Sequence, residues 1–365
     1  GSRGMGAMLG NDPTQYQRMR ETPWAAAVLG YCYGSSTWYT CLSDFAVMRK
    51  GAVMAVSSPR LVSLAIKEEV DPEELGGWKL HSETTGLIDM VTDTDEQALD
   101  AVRTFLSYLP SHHNEAPPVH AVTPGSGEGM RDIEKLIPAE RTRVYDVRKV
   151  IRAIADEGSM FELKPRFGKA AVTAFARLGG KSAGIIANNP LFKGGAMDTD
   201  ACEKATKFIV TCDSFNIPLI LLVDTPGFSI GLEAERKRAP GKIMNFMHAL
   251  QLCTMPKISV ILRKSYGQAY LNMGGGRNSD EVLAWPGAEI SFMDPNFAVS
   301  IVSGVTLEEM QRANSVWDIA SIYAVQNVIQ PMETRDHLLR LLETHELRLT
   351  KGIGEHLMRA WPTSY

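Results

Sequence analysis

The sequence predicts an α/β protein with a largely parallel sheet, built from two halves that repeat one unit, and three observations carry that expectation. Short apolar runs that stop abruptly at Pro or Gly alternate with amphipathic stretches of helical period. A segment dense in Pro and Gly, from Pro110 to Arg141, separates a first block from a second. The punctuation of the first block then recurs in the second with the same spacing.

Taken in order, Glu96 to Tyr108 places Leu99, Val102, Phe105 and Leu106 at helical spacing. Pro110, Pro117, Pro118, Pro124, Gly125, Gly127 and Gly129, with few large apolar neighbours, read as a linker. It is set at 119–143, between a first domain over 1–118 and a second over 144–365. Tyr145 to Ala155 is a helix with Val147, Val150, Ile151 and Ile154 on one face. Ala170 to Leu178 turns at Gly179-Gly180 into Ser182 to Asn188, a hairpin pattern. A helix from Thr199 to Asn216 leads into Leu219 to Val223, whose brevity and Pro226-Gly227 stop favour a buried strand. Ala239 to Cys253 is a further helix, feeding a strand at Ile258 to Leu262.

The repeat is visible in two places. Trp24 to Gly34 is apolar and ends in Tyr33-Gly34, and Lys257 to Gly267 ends in Tyr266-Gly267. Downstream, Gly51-Ala52-Val53-Met54 closes at Ser58-Pro59, and Gly287-Ala288-Glu289-Ile290 closes at Asp294-Pro295. Chance likeness between two strand–turn–helix segments is the competing explanation.

Composition narrows the function. With 44% hydrophobic and 22% charged residues over 365, the chain can build substantial cores. A net charge of −4 without a Lys/Arg block leaves no electrostatic footprint for nucleic acid or an anionic membrane. Cys32, Cys41, Cys202, Cys212 and Cys253 are odd in number and lack C-x-x-C spacing, as expected of reduced thiols. With no apolar run long enough to span a bilayer and no signal peptide, a cytoplasmic protein without membrane insertion is expected. Gly1-Ser2-Arg3-Gly4-Met5-Gly6 reads as a site loop, so the first domain is expected to lack its front.

Several motifs fail on inspection. Gly179-Gly180-Lys181-Ser182 has the tail of a phosphate-binding loop, but Phe175 stands where that loop requires glycine, and a strand follows. Gly4, Gly6 and Gly10 miss the dinucleotide spacing. No H-E-x-x-H or G-x-S-x-G appears, His112-His113 reads as solvated, and His81 suits either a pocket lining or ordinary packing. What survives are glycine-rich turns at strand ends, where unpaired N–H groups can converge on a developing oxyanion. Ser2-Arg3-Gly4 and Tyr266-Gly267-Gln268-Ala269 are the leading candidates, framed by Tyr33-Gly34-Ser35-Ser36 and Asp224-Thr225-Pro226-Gly227-Phe228. For any one of these turns alone a local need for positive φ is the better explanation, and their recurrence in both halves is what favours a site.

Several of these segments also carry a resemblance. Val223-Asp224-Thr225-Pro226-Gly227-Phe228, Glu203-Lys204-Ala205 with Thr211-Cys212-Asp213-Ser214-Phe215-Asn216-Ile217-Pro218, and Arg263-Lys264-Ser265-Tyr266-Gly267-Gln268-Ala269-Tyr270 resemble the carboxyltransferase β subunits of propionyl-CoA and acetyl-CoA carboxylases. Glu73-Glu74-Leu75-Gly76-Gly77 and Leu106-Ser107-Tyr108-Leu109-Pro110 extend the likeness into the first half. The resemblance implies two crotonase-like domains, the first incomplete at its N-terminus, with sites at a dimer interface inside a hexamer. It implies carboxybiotin on a biotin carboxyl carrier protein, a biotin carboxylase subunit as a further partner, acyl-CoA as substrate and no metal.

The family pattern Ser-Gly-Gly-Ala-Arg falls on Ser2-Arg3-Gly4-Met5-Gly6, which puts the thioester-facing amides on Arg3 and Gly4. Phe-Gly-Gly-Ala-Tyr falls on Tyr266-Gly267-Gln268-Ala269-Tyr270, which puts the biotin-facing amides on Gln268 and Ala269. Ser2, Gly34, Ser35, Gly194, Gly195, Gly227, Phe228, Gly267, Tyr270 and Leu271 are the expected substrate- or biotin-binding positions, with apolar Leu271 a weak hint of an alkyl substituent. The ureido nitrogen would take the acyl α-proton, so no side-chain base is required. Each loop departs from the pattern by one glycine. The same residues also fit the carboxyltransferase subunit of a biotin-dependent decarboxylase, or a catalytically silent scaffold.

Overall fold

The computed structural model describes residues 13–350 and 356–361. In chain order its strands are β1 (Ala25–Val28), β2 (Tyr31–Tyr33), β3 (Phe45–Arg49), β4 (Val53–Ala55), β5 (Met90–Thr92), β6 (Phe161–Leu163) and β7 (Ala171–Leu178). They continue as β8 (Lys181–Asn188), β9 (Leu219–Thr225), β10 (Lys257–Tyr266), β11 (Glu281–Ala284), β12 (Glu289–Ser291) and β13 (Asn327–Val328). The first half holds a three-stranded sheet in the order β1-β3-β5 and the pair β2-β4. The second holds an eight-stranded sheet, β13-β11-β10-β9-β8-β7-β6, with β12 beside β10. Every pairing among these is parallel except β6-β7 and β7-β8, so the largely parallel expectation and the hairpin at Gly179-Gly180 both hold.

Both faces of the large sheet are covered, which explains the unbroken apolar run in β9. Leu219, Leu221 and Val223 enter one core, with Phe208 and Phe246 of the helices Thr199–Ser214 and Ala239–Leu252. Ile220 and Leu222 enter the other, with Val147, Val150, Ile151 and Ile154 of the helix Val147–Ile154. Burying those four aliphatic side chains contributes about 6–12 kcal/mol at 1.5–3 kcal/mol each. The first core also takes Phe45, Phe105 and Tyr108 from the first half, with Phe45 and Phe105 stacked at 4.7 Å and Phe175 and Phe208 tilted at 5.0 Å. Apolar aromatic packing thus joins the two halves.

Two details differ from the sequence reading. In the helix Asp95–Leu106 the buried face is Ala98, Ala101 and Phe105, whereas Leu99 and Leu106 are exposed. Small alanines let this helix lie close on β1 and β3, and the larger side chains fall at its rim. The Pro- and Gly-rich stretch is partly folded: short helices at Glu128–Asp132 and Ile133–Leu136 bury Met130 and Ile133 against the Val147–Ile154 face.

The repeat is structural. β2 pairs with β4 in the register Tyr33↔Ala55, and β10 pairs with β12 in the register Tyr266↔Ser291. Each tyrosine precedes a glycine at φ 64°, Gly34 or Gly267, a conformation few other residues adopt without strain. The helices that follow each second strand, Pro59–Ile66 and Pro295–Ile301, both have Pro in the first turn and are capped by Ser58 and Asp294.

Candidate functional site

Open α/β sheets place ligands beyond the carboxyl ends of their strands. Here those ends are Asn188 of β8, Thr225 of β9 and Tyr266 of β10. Past β9, the Gly227 amide donates to Thr225 Oγ1 at 3.2 Å, and the Gly227 carbonyl accepts from the Met197 amide at 3.0 Å. That pins the Asp224–Gly227 turn to the Gly194-Gly195 turn and lays Phe228, half-buried, beside Met197. Gly195 has φ 86°, and a Cβ there would stand 2.4 Å from the Asp224 carbonyl oxygen, so the two turns meet only because this residue lacks a side chain.

Past β10, the Gly267 amide is spent on the Ser291 carbonyl at 2.9 Å. The next two amides, on Gln268 and Ala269, have no hydrogen-bond partner among the described residues. Gln268 has φ −69° and an exposed side chain, so glutamine is unstrained where the family pattern has glycine, and its N–H is kept. Tyr270 and Leu271 are half-buried, lying over Gly275 and Gly276, whose missing side chains make room for them. In the first half, Gly34 donates to the Val56 carbonyl at 3.1 Å, and exposed Ser35 opens the helix Ser35–Leu42. Ser2, Arg3 and Gly4 lie outside the described residues.

Beneath these turns runs an ionic network. Asp224, fully buried, accepts from the Tyr145 hydroxyl at 2.9 Å, Arg263 Nε at 3.0 Å and Lys264 Nζ at 2.7 Å. Its own amide donates to Asn188 Oδ1 at 3.1 Å, tying β9 to β8. Arg263 Nη1 reaches the carbonyls of Pro138, Glu140 and Arg143 at 2.8–3.1 Å, which straps residues 138–143 across the strand ends. Burial, then the Asp224 charge, pushes the Tyr145 hydroxyl well above its usual range, and burial lowers Lys264 against the pull of Asp224.

At the edge, the Tyr266 hydroxyl donates to Glu289 Oε2 at 2.5 Å, and Arg141 Nη1 donates to both, at 3.0 and 2.8 Å. Burial, then the bond to Glu289, raises the Tyr266 hydroxyl. Asp224, Lys264, Tyr266 and Glu289 are each committed to a partner, which leaves the main-chain amides as the open donors of the Gly267 loop.

The sequence singled out Asp224, Gly227, Gly267, Gln268 and Ala269 as site candidates but not Arg141, Tyr145 or Glu289, which the structure places beside them. Arg141 sits in a stretch read as a linker, and Glu289 was noticed only as part of the repeat. His81 serves packing: it is buried, with Nε2 at 2.6 Å from the Met54 carbonyl and Nδ1 at 3.1 Å from Thr85 Oγ1. His112 and His113, read as solvated, are half-buried with their rings 4.5 Å apart.

The covered parallel sheet and the two glycine-led turns define an α/β protein that presents backbone donors at strand ends. The chain belongs to the carboxyl transferase domain family, which matches residues 1–348. It is 35% identical over 347 residues to the propionyl-CoA carboxylase carboxyltransferase subunit of Haloferax mediterranei, covering 90% of this chain and 66% of that protein. It is 36% identical over 282 residues to the methylmalonyl-CoA decarboxylase subunit alpha of Propionigenium modestum, covering 77% of this chain and 54% of that one. The fold superposes with a TM-score of 0.86 and 34% identity on the transcarboxylase 12S subunit solved as a hexamer with methylmalonyl-coenzyme A bound, covering 94% of this chain and 69% of that one. The α/β fold is therefore crotonase-like. The chain spans about two thirds or less of the curated relatives described here. Among the described residues, no helix is long and apolar enough to cross a membrane.

Proposed function

We propose that this chain supplies a carboxyltransferase site that moves a carboxyl group between carboxybiotin, held on a carrier protein, and the α-carbon of an acyl-CoA. The observation that carries the reading is the Gly267 turn, in which two successive amides just past the end of a buried strand have no hydrogen-bond partner among the described residues. Carboxybiotin supplies the transferable carboxyl group. The Gln268 and Ala269 amides hold its ureido oxygen, and the Arg3 and Gly4 amides hold the thioester oxygen, where negative charge grows as the α-proton leaves. Two adjacent N–H groups suit one carbonyl oxygen of a cyclic urea, and the carboxylates beneath the loop are neutralised by Arg263, Lys264 and Arg141, so they do not repel it.

A homo-oligomer suits the same reading. The repeat-equivalent helices Pro59–Ile66 and Pro295–Ile301 leave Leu61, Leu64, Phe297 and Ile301 more than half exposed, which a second copy would cover. A biotin carboxyl carrier protein and a biotin carboxylase subunit would be the other partners, in the cytoplasm. The relative from Propionigenium modestum is named a decarboxylase subunit, so the reverse direction is the second reading.

Gln268→Pro tests the site directly. Pro accepts φ −69°, follows a glycine, and deletes one N–H, whereas Gln268→Ala keeps that N–H. In an assay of labelled carboxyl transfer to a panel of acyl-CoAs, the Pro variant should lose about 10²–10³-fold in kcat and the Ala variant little. Equal activity of the two variants would remove the amide from the mechanism.

A further inference from the structure

The two repeats make the same turn, but among the described residues only the second surrounds it with charge. In both, a strand ends in Tyr-Gly with the glycine at φ 64°, and a parallel neighbour starts two residues after another glycine. Tyr31, Cys32 and Tyr33 face Val53, Met54 and Ala55, while Lys264, Ser265 and Tyr266 face Glu289, Ile290 and Ser291. Glu289 thus takes the place that Val53 holds in the first repeat. The Tyr33 ring stacks on Tyr31 at 5.8 Å, and its hydroxyl has no hydrogen bond to a described residue. The Tyr266 hydroxyl sits between Glu289 and Arg141, and Arg141 arrives from a segment 125 residues away in sequence. Since Gly34 reaches its conformation without any such pair among the described residues, the Arg141–Tyr266–Glu289 cluster is not needed to form the turn. Something other than folding accounts for it.

We infer that Arg141, Tyr266 and Glu289 are positioning residues for the Gly267 loop. They hold the end of β10 against β12 so that the Gln268 and Ala269 amides keep one direction. The inference rests on the carboxyltransferase reading above. The physical argument is leverage. Tyr266 immediately precedes Gly267, and β12 carries both Glu289, which binds the tyrosine hydroxyl, and Ser291, whose carbonyl takes the Gly267 amide. One edge of the loop is therefore fixed at two points on the same strand. The Arg141 and Glu289 side chains are 26% and 23% exposed, so the cluster borders solvent rather than filling the core. Arg263 pins the carbonyls on either side of Arg141, which makes the strap stiff enough to hold the guanidinium in place.

Tyr266→Phe, Glu289→Gln and the double variant test this by steady-state transfer kinetics and by hydrogen exchange of the peptide spanning Ser265–Met273. Tyr266→Phe should lower kcat about ten- to a hundredfold and raise KM for the biotin donor, with KM for acyl-CoA within about twofold. Glu289→Gln, which keeps an acceptor, should fall between Tyr266→Phe and the native chain, and the double variant should be little worse than Tyr266→Phe alone. Exchange in the loop peptide should quicken while exchange in β7 and β8 stays unchanged. Native kinetics and native exchange in both single variants would overturn the inference. So would a rise in both KM values together with faster exchange throughout the sheet, which marks a merely structural role. A native chain that transfers no label would defeat the carboxyltransferase reading instead, and the exchange measurement would still decide whether the cluster positions the loop.

Discussion

Lys204 is 2% exposed and has no carboxylate partner among the described residues; its ammonium instead donates to the carbonyls of Lys164, Phe167 and Ala171 at 2.8, 3.1 and 2.8 Å. Burial pushes its pKa down to about 7. In the unfolded chain a lysine titrates near 10.4, so between these values the unfolded state holds a proton that the folded state has released. Stability therefore rises with pH over that window, by up to about 1.4 kcal/mol per pH unit. Allowing for half-titration at pH 7, the gain from pH 7 to pH 9 is about 2 kcal/mol. Lys204→Met keeps the length of the side chain, removes the titration, and leaves three carbonyls without their donor, a loss of about 1 kcal/mol each before the relief of a buried charge. Equilibrium unfolding in urea should show the native chain pulling ahead of the variant by about 2 kcal/mol between pH 7 and 9, with a level difference below pH 6. A difference that stays flat from pH 6 to 9 would mean that three carbonyls hold the ammonium as well as water does, and the burial argument would be wrong.

Two further outcomes follow from buried carboxylates. Asp224→Ala leaves Arg263 and Lys264 buried without their anion, and should cost about 3–5 kcal/mol in urea unfolding while exposing the 138–143 strap to limited proteolysis. For Asp213, burial alone would raise the carboxyl, but the His356 ring and the Thr254 amide and hydroxyl outweigh it and hold the pKa below its ordinary value. Its contribution is therefore present above the unfolded value, about 3.9, and is lost as pH falls through the folded one. Asp213→Asn should be less stable than the native chain at pH 7, and the gap should shrink as urea unfolding is repeated towards pH 3.

The parts of the fold that were legible in the sequence are those where one local rule acts alone. Leu219 to Val223 reads as a strand because both its faces are buried, and Val147, Val150, Ile151 and Ile154 read as a helix face because all four enter one core. The glycine turns were legible for the same reason: a positive φ limits the residue choice at Gly34 and Gly267 whatever surrounds them. β10 was read too short, ending at Leu262 rather than Tyr266, because Arg263 and Lys264 look like a polar stop. Both are in fact buried, with their charges turned onto Asp224. No periodicity or propensity announces a charge that is satisfied from another strand. Arg141 was hidden for the same cause, since its partners lie 125 and 148 residues away.

Arg263 links the strap to the loop. A guanidinium can serve an acid and several carbonyls at once, because its donors fan out in a plane from one rigid centre. Arg263 uses one edge for Asp224, at the end of β9, and Nη1 for three carbonyls of the strap. Lysine there could keep the ion pair or the carbonyls but not both, since its donors share one nitrogen. The strap carries Arg141, and Arg141 meets Tyr266, so displacing a single side chain of β10 would be felt at the amides two residues beyond that strand's end. Donors of fixed direction are what an oxyanion site requires, because a dipole that must reorient during the reaction gives back in reorganisation much of what it gains in attraction. A chain that stabilises charge through its backbone cannot tune that backbone by substituting the donor itself. It can only substitute what holds the donor still.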